Sequence, residues 1–353
     1  MYAPLLFDVA EDFFQTGKRQ AASILYETVA ESEKQQHSER LALCKYRLFL
    51  LKIGKDQNKN HHAAIQFEPY VERLDEIDQL EAIKDLANLY RSLRKWDKLE
   101  ELAVRLEEKA KVYYFSDRKP ESQDQNKKMT RPVFTYYAYP YILLTHVYLN
   151  RREYKLALET TSVYADLEWV REKDEETLYW KSLFQEWALA NTFVVKLFSG
   201  DISVLSDYIA YFEARENEML LSFMNIVEAA NKNNFNIDPI LQRYKSEISF
   251  YLLNEKPNPV YSTQNISEQA IALSNELAEY HLRNGQYHEG FQNLMICLEK
   301  SSNFSDKSSI IKCVGLFEHY KENAPYEIIK TYQTLINEVY KNEKKINVPT
   351  VDN

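Results

Sequence analysis

Long stretches rich in leucine, alanine, glutamate and lysine run through this chain, and short polar bends separate them. Such stretches favour α-helices that pack against one another. One bend lies in the segment YHLRNGQYHEG, residues 280–290, which combines two histidines, two glycines and a glutamate. Those residue types suit a metal site, a phosphate-binding loop or the turn of a helical hairpin. The segments that share its pattern decide between these readings.

Five segments align in one frame when each is centred on its bend. The bends are Gly17, Arg94, Arg152, Gly200 and Gly285. Seven residues before the bend, four segments have a small residue: Ala10, Ala87, Thr145 and Ala278, with Phe193 as the exception. Two residues after it come Trp96, Tyr154, Ile202 and Tyr287, with Arg19 as the exception. Five residues after it come Ala22, Leu99, Ala157, Leu205 and Gly290.

This order of small residue, bend, aromatic and small residue resembles the tetratricopeptide repeat, which spans about 34 positions. Small residues let two antiparallel helices approach closely, and the aromatics fill the gap to the next pair. The frame therefore predicts an all-α array of antiparallel helix pairs, with Gly285 at the end of the first helix of its pair. In this interpretation YHLRNGQYHEG is a hairpin bend.

Uneven spacing between the bends predicts further helix pairs without the signature. One turns after Gly54, one turns through residues 233–236 with Pro239 in the first turn of its second helix, and one covers residues 308–345. Two segments, 116–132 and 254–265, are predicted loops. The resulting domains are N-terminal helical repeats at 1–113, a flexible linker at 114–132, and C-terminal repeats at 133–353 that form a ligand groove.

Composition narrows the class of protein. Only six glycines argue against sandwiches, barrels and glycine-rich nucleotide folds. A net charge of −9 makes the chain a poor nucleic-acid binder on its own. Cys44, Cys297 and Cys313 form no CxxC motif, which predicts buried thiols in a reducing cytoplasm. No stretch reaches the roughly 18 apolar residues of a membrane span, so no membrane partner is expected.

Catalytic and metal chemistry find little support in the sequence. His281 and His288 lie on opposite sides of the bend, and His61 and His62 are neighbours that point in different directions on a helix. None of the motifs GxxxxGK[ST], GxGxxG, HExxH or GxSxG occurs. We therefore expect no enzyme activity, no metal and no cofactor.

A candidate ligand face lies on the first helix of each pair. Positions ten, six and three before a bend share one side of a helix, and we expect that side to face inward. An asparagine amide there both donates to and accepts from a peptide backbone, and a lysine or arginine suits a carboxylate. The alternative is that these residues form only a solvated polar face, but the set as a whole favours peptide binding. The candidates are Lys84, Asn88, Arg91, His146, Asn150, Asn191, Asn275 and Glu279.

The chain as a whole resembles the peptide-receptor regions of the Rap–Rgg–NprR–PlcR–PrgX group of bacterial quorum-sensing regulators, and NprR-type proteins above all. The stretches that carry the resemblance are HHAAIQFEPYVERLDEIDQLEAIKDLANLYRSLRKWDKLEELA, FQEWALANTFVVKLFSGD, ENEMLLSFMNIVEAANKNNFNID and IIKCVGLFEHY.

The resemblance implies a right-handed superhelix of tetratricopeptide-like repeats that binds a short signalling peptide in its concave groove. Asparagines grip the peptide backbone in that group, and Asn88, Asn191 and Asn275 fit this role by position. Binding would change the conformation or the homo-oligomer, a dimer or higher, and thereby control transcription of processes such as sporulation.

The sequence departs from the transcription factors of the group because it has no basic helix-turn-helix segment. DNA contact would therefore need a missing N-terminal domain. The alternative is a peptide-controlled response-regulator phosphatase or phosphorelay inhibitor, whose response regulator would engage residues 1–113. A co-chaperone scaffold for C-terminal tails ranks last, because only the Arg94 repeat presents suitable residues.

Two further expectations concern the ligand and the assembly. A peptide of roughly five to ten residues is expected between the Arg94 and Gly285 repeats, with Asn275 outside the core. Apolar side chains in the last helix pair predict self-association, because a helical array must cap or bury its end face.

Overall fold

The computed structural model describes residues 3–33, 38–54, 56–116, 129–254, 258 and 263–346. Those residues form 17 α-helices, four short 3₁₀ turns and no β-strand. The all-α prediction is confirmed. No helix in these segments is both long and apolar enough to cross a membrane.

The chain divides into two compact units, Met1–Val195 and Lys196–Asn353. The helices of the first unit are α1 Ala3–Gln15, α2 Arg19–Ser32, α3 Glu39–Lys52, α4 Gln57–Phe67, α5 Glu76–Ser92, α6 Trp96–Phe115, α7 Val133–Asn150, α8 Tyr154–Ala165 and α9 Glu175–Phe198, which ends three residues past the boundary. Those of the second are α10 Leu205–Glu213, α11 Met219–Asn233, α12 Asp238–Arg243, α13 Lys245–Leu253, α14 Thr263–Arg283, α15 Tyr287–Asn303, α16 Lys307–Tyr320 and α17 Tyr326–Ile346.

All five predicted bends adopt the left-handed backbone conformation that ends a helix. Their φ angles are 74° at Gly17, 54° at Arg94, 62° at Arg152, 99° at Gly200 and 74° at Gly285. At Gly285 the amide donates to the Leu282 carbonyl at 3.1 Å, and the next amide, of Gln286, donates to His281 at 2.8 Å. This pair of bonds is a Schellman motif, and it satisfies carbonyls that the helix end would otherwise leave unpaired. The hairpin interpretation of YHLRNGQYHEG is confirmed.

A sixth bend of the same kind lies at Ser305, with φ 51° and the Asp306 amide donating to Ser301 at 3.0 Å. The sequence frame missed it, because Leu298 stands seven residues before this bend and Lys307 two residues after it, in place of the small residue and the aromatic. Another left-handed residue, Asn234 with φ 56°, lies within the predicted turn at residues 233–236.

Replacement of Gly285 by alanine should lower the free energy of unfolding by about 1 to 2 kcal/mol, because a β-carbon disfavours a left-handed backbone. No heavy atom lies within 4 Å of the position of that β-carbon, so the cost is conformational. Urea denaturation measures it. Gly54→Ala is the matched control, since Gly54 also has open space and is not among the positive-φ residues. Equal losses in the two variants would contradict the conformational explanation.

Small residues seven positions before the bends bring paired helices together. Ala10, Ala87, Thr145 and Ala278 are each fully buried, at 0% exposure. Gly290 allows the same close approach between α14 and α15. A β-carbon on Gly290 would lie 2.6 Å from Leu282 Cγ, closer than real contacts of this kind. The predicted packing logic is therefore confirmed at these positions.

Several predicted boundaries differ from the structure. The second helix after the turn at 233–236 breaks at Tyr244 into α12 and α13. Helix α14 begins at Thr263, so the predicted loop at 254–265 ends three residues too late. Helix α6 continues to Phe115, two residues into the predicted linker, and it packs against α7 on the far side of that linker. Most of the linker, residues 117–128, and residues 255–257 and 259–262 of the second loop lie outside the described residues.

Candidate functional site

Helices α5 and α7 position five of the eight predicted ligand residues in the first unit, and they contact each other while both pack on α6. Helix α5 begins at an Asp75 cap, whose carboxylate accepts from the Asp78 amide at 2.7 Å. Arg91 in its last turn complements the negative end of the helix dipole. Asn88 and Arg91 lie six and three residues before the bend at Arg94, and this spacing places them on one side of α5.

Lys84 is buried and already paired. Its ammonium donates to Glu81 and lies 3.7 Å from Asp85 Oδ1. Glu81 also accepts hydrogen bonds from the hydroxyls of Thr130 and Tyr136, so its carboxylate is already paired within the protein. Burial alone would raise the pKa of Glu81, but the neighbouring Lys84 lowers it below its usual value. Lys84 therefore stabilises the fold through these partners, with or without a ligand.

Asn88 is half-buried and is held by one hydrogen bond. Its Oδ1 accepts from the hydroxyl of Tyr139 on α7 at 2.6 Å. The same bond leaves the amide nitrogen Nδ2 without an acceptor among the described residues. Asn88 can therefore donate to a ligand carbonyl without losing its existing contact.

Arg91 on α5 and His146 on α7 each have one buried side-chain nitrogen without a hydrogen-bond partner. The Nε atom of Arg91 and the Nδ1 atom of His146 are both buried and unpaired in the described structure. Burial, and then the charge of Arg91, lower the pKa of His146 to about 3, so its ring is neutral near pH 7. No described carboxylate pairs with Arg91. A buried N–H group without an acceptor costs about 1 to 3 kcal/mol, and this pair is suited to a ligand that supplies an acceptor.

The two remaining candidates of the first unit are Asn150 and Asn191. Asn150 is exposed at the last position of α7. Asn191 on α9 is half-buried, and its Nδ2 donates to the hydroxyl of Tyr164 at 2.9 Å. The carbonyl of Asn191 has no described donor.

In the second unit, Asn275 on α14 is 4% exposed, which corrects the expectation that it lies outside the core. It is buried because α11 packs across this part of α14 and brings Asn231 against the neighbouring residue, Glu276. The Oδ1 atoms of Asn231 and Asn275 are buried and accept no hydrogen bond. Glu279, one turn along α14, is half-buried.

Four buried side-chain polar atoms lack a partner in the described structure, and three of them belong to predicted ligand residues: Arg91, His146 and Asn275. Native proteins leave few such atoms, so each needs an explanation. The fourth, on Asn231, was not predicted. Its signal lay in the amide-rich segment NKNNFN, residues 231–236, which sequence reasoning treated as a turn alone.

A separate cleft of about 400 Å³ lies among α2, α3 and α4 of the first unit, lined by residues such as Lys45, Phe49 and Phe67. None of the eight predicted residues lines it. The three cysteines are free and buried, as predicted. No group of three or more histidine, cysteine, aspartate or glutamate side chains is arranged for a metal ion within the described segments.

Comparisons of the chain with protein-family models, with curated proteins and with solved structures gave no match.

Proposed function

We propose that this protein is a receptor for a short peptide, which it binds through the polar side chains on the first helices of its pairs. The observation that carries the proposal is that each unit has unpaired buried atoms at predicted positions, on Arg91 and His146 in the first and on Asn275 in the second. The positions were predicted from helix spacing, and unpaired polar atoms at these positions are what an extended peptide would satisfy.

The first unit supports recognition of a carboxylate together with a peptide backbone. Arg91 and the neutral His146 offer donors in a buried setting, where a charge-assisted hydrogen bond is strong. Asn88 lies one turn before Arg91 on α5 and keeps its amide nitrogen available for a backbone carbonyl. Lys84 is excluded from a primary role by its two carboxylate partners, Glu81 and Asp85.

The proposal extends to architecture and output. The helix pairs would stack as a tetratricopeptide-repeat-like right-handed superhelix, and peptide binding would change the conformation or the oligomer to control transcription through a separate DNA-binding domain. Exposed apolar side chains in the last helix pair support a homo-oligomer, because Ile311 is 70% exposed and Tyr326 is 76% exposed.

Arg91→Met should weaken peptide binding by about 10- to 150-fold, since a hydrogen bond to a charged group contributes roughly 1.5 to 3 kcal/mol. A synthetic heptapeptide library with free termini, selected on the purified protein, supplies the ligands, and titration calorimetry measures their affinities. Lys155→Met is the matched control, because the side chain of Lys155 is 91% exposed on α8.

Two results would overturn the proposal. One is a library from which the protein enriches no peptide. The other is unchanged affinity in Arg91→Met for every selected peptide. Loss of binding in both Arg91→Met and Lys155→Met would point to nonspecific charge attraction in place of a defined site.

A further inference from the structure

An amide–carboxylate cluster, formed by Asn231, Asn275 and Glu276, lies where α11 packs on α14. Asn231 Nδ2 donates to the Glu276 carbonyl at 2.8 Å and to Glu276 Oε2 at 2.9 Å. Asn275 Nδ2 lies 3.5 Å from Glu276 Oε1. Both amide nitrogens are therefore directed at one carboxylate. This fixes the orientation of both amides, because an amide oxygen turned towards the carboxylate would be repelled.

The consequence of that orientation is a surplus of acceptors. The two Oδ1 atoms of the cluster are buried and receive no hydrogen bond from a described residue. Asn275 is 4% exposed, so water at the molecular surface does not compensate its oxygen. A buried carbonyl oxygen is satisfied only by a donor, and neither carboxylates nor further carbonyls can fill that role.

The charges around the cluster also favour a hydrogen-bond donor, and one that is positively charged. Burial raises the pKa of Glu276 and the negative charges of Glu228 and Glu279 raise it further, whereas the hydrogen bond from Asn231 and the charge of Lys312 lower it. The negative charges of Glu228 and Glu279 mean that the surroundings disfavour another negative charge and favour a positive one.

Two of the nearby cations, Lys232 and Arg283, are engaged elsewhere. Lys232 pairs with Glu228 at 2.8 Å and lies 4.1 Å from the centroid of the Phe198 ring. Arg283 donates to the carbonyls of Asn231 at 2.7 Å and Ala230 at 3.3 Å, where it caps the end of α11. Neither donates a hydrogen bond to the two unpaired amide oxygens in the described structure.

We propose that the amide–carboxylate cluster is a binding site for an organic cation that carries N–H donors, an ammonium or a guanidinium group. The donors would pair with the oxygens of Asn231 and Asn275, and the positive charge would lie beside Glu276 and Glu279. Within the proposed function, this cation is the N-terminal ammonium or a lysine or arginine side chain of the peptide. Only the identification of the cation as part of a peptide rests on the proposed function.

Small probes test the cluster without a cognate peptide. Glycyl-glycinamide supplies an N-terminal ammonium, and the N-acetyl, N-methylamide derivatives of lysine and arginine supply the two side-chain cations. The corresponding glutamine derivative is a neutral control with amide donors. Affinities are measured on the full chain by NMR titration. We expect at least one cation to bind ten times or more tightly than the glutamine derivative, and the preferred cation identifies the source.

Asn275→Leu and Glu276→Gln test the residues. Each should lower the affinity for the preferred cation by about 10-fold or more. Asn293→Leu on α15 is the control, since Asn293 bonds only within its own helix, to the Glu289 carbonyl at 2.9 Å, and it should leave the affinity unchanged. Asn275→Leu should also leave the unliganded protein as stable as the original or more so, because it removes an unpaired buried acceptor. A purely structural asparagine would show the opposite.

The inference is overturned if no cation exceeds the glutamine derivative, or if Glu276→Gln binds the preferred cation as tightly as the original chain. Glu276→Gln decides the matter if Asn275→Leu fails to fold. Because library peptides are selected independently, a chain that binds peptides but no small cation refutes this site alone. A chain that binds cations but no library peptide refutes the peptide proposal alone.

Discussion

Replacing Lys84 by methionine is expected to lower the free energy of unfolding of the first unit by about 3 to 5 kcal/mol. The ammonium of Lys84 is the cation beside Glu81 and Asp85, and its side chain is 11% exposed. Methionine fills a similar volume but leaves two carboxylates in a poorly solvated place. Burial already raises the pKa of Asp85 against the opposing charge of Lys84, so its ionised form depends on that partner.

Tryptophan fluorescence isolates this effect. All four tryptophans, Trp96, Trp169, Trp180 and Trp187, lie in the first unit, so their emission during urea denaturation reports that unit. Lys155→Met is the control, because Lys155 of the same unit pairs with Glu159 at 3.9 Å on the surface, as an i, i+4 pair. We expect no measurable change there.

A double variant checks the cause. Adding Glu81→Gln to Lys84→Met removes one of the two stranded charges and should recover part of the lost stability. A Lys84→Met variant as stable as the original would show that these carboxylates need no cation. Equal losses in the single and double variants would assign the effect to packing.

Gly290→Ala is expected to destabilise the second unit by about 1 to 3 kcal/mol, although alanine is the better helix former. The new β-carbon would lie 2.6 Å from Leu282 Cγ, 2.8 Å from Leu282 Cδ2 and 3.0 Å from the Leu282 backbone nitrogen. Leu282 is itself 1% exposed, so it has little room to move away. Helices α14 and α15 would have to separate.

Gly315→Ala on α16 is the matched control. It is also a glycine inside a helix of the second unit, but no atom lies within 4 Å of its β-carbon position. That variant should gain up to about 1 kcal/mol from helix propensity. Differential scanning calorimetry compares the two, and a shift of the same sign in both would refute the close approach of α14 and α15.

Polar residues on the predicted ligand face differ in burial and pairing in ways that their spacing did not reveal. Lys84 is part of a paired charge network, whereas Arg91, seven residues later on the same side of α5, has an unpaired buried nitrogen. Asn275 was expected in the open and is buried. Spacing assigns a residue to a side of a helix, but its partners come from other helices, and these decide which polar groups are left for a ligand.

The sequence alone determined the helical class, the five aligned bends and the small residues between paired helices. These follow from local sterics, because a left-handed helix end and a close helix approach each restrict the residue types at fixed positions. Only the tertiary structure decided which polar atoms are satisfied. Tyr46 reaches Asp85 across 39 positions, and Asn231 reaches Glu276 across 45. Contacts over such distances depend on how α-helices pack, and no local pattern in the chain specifies them.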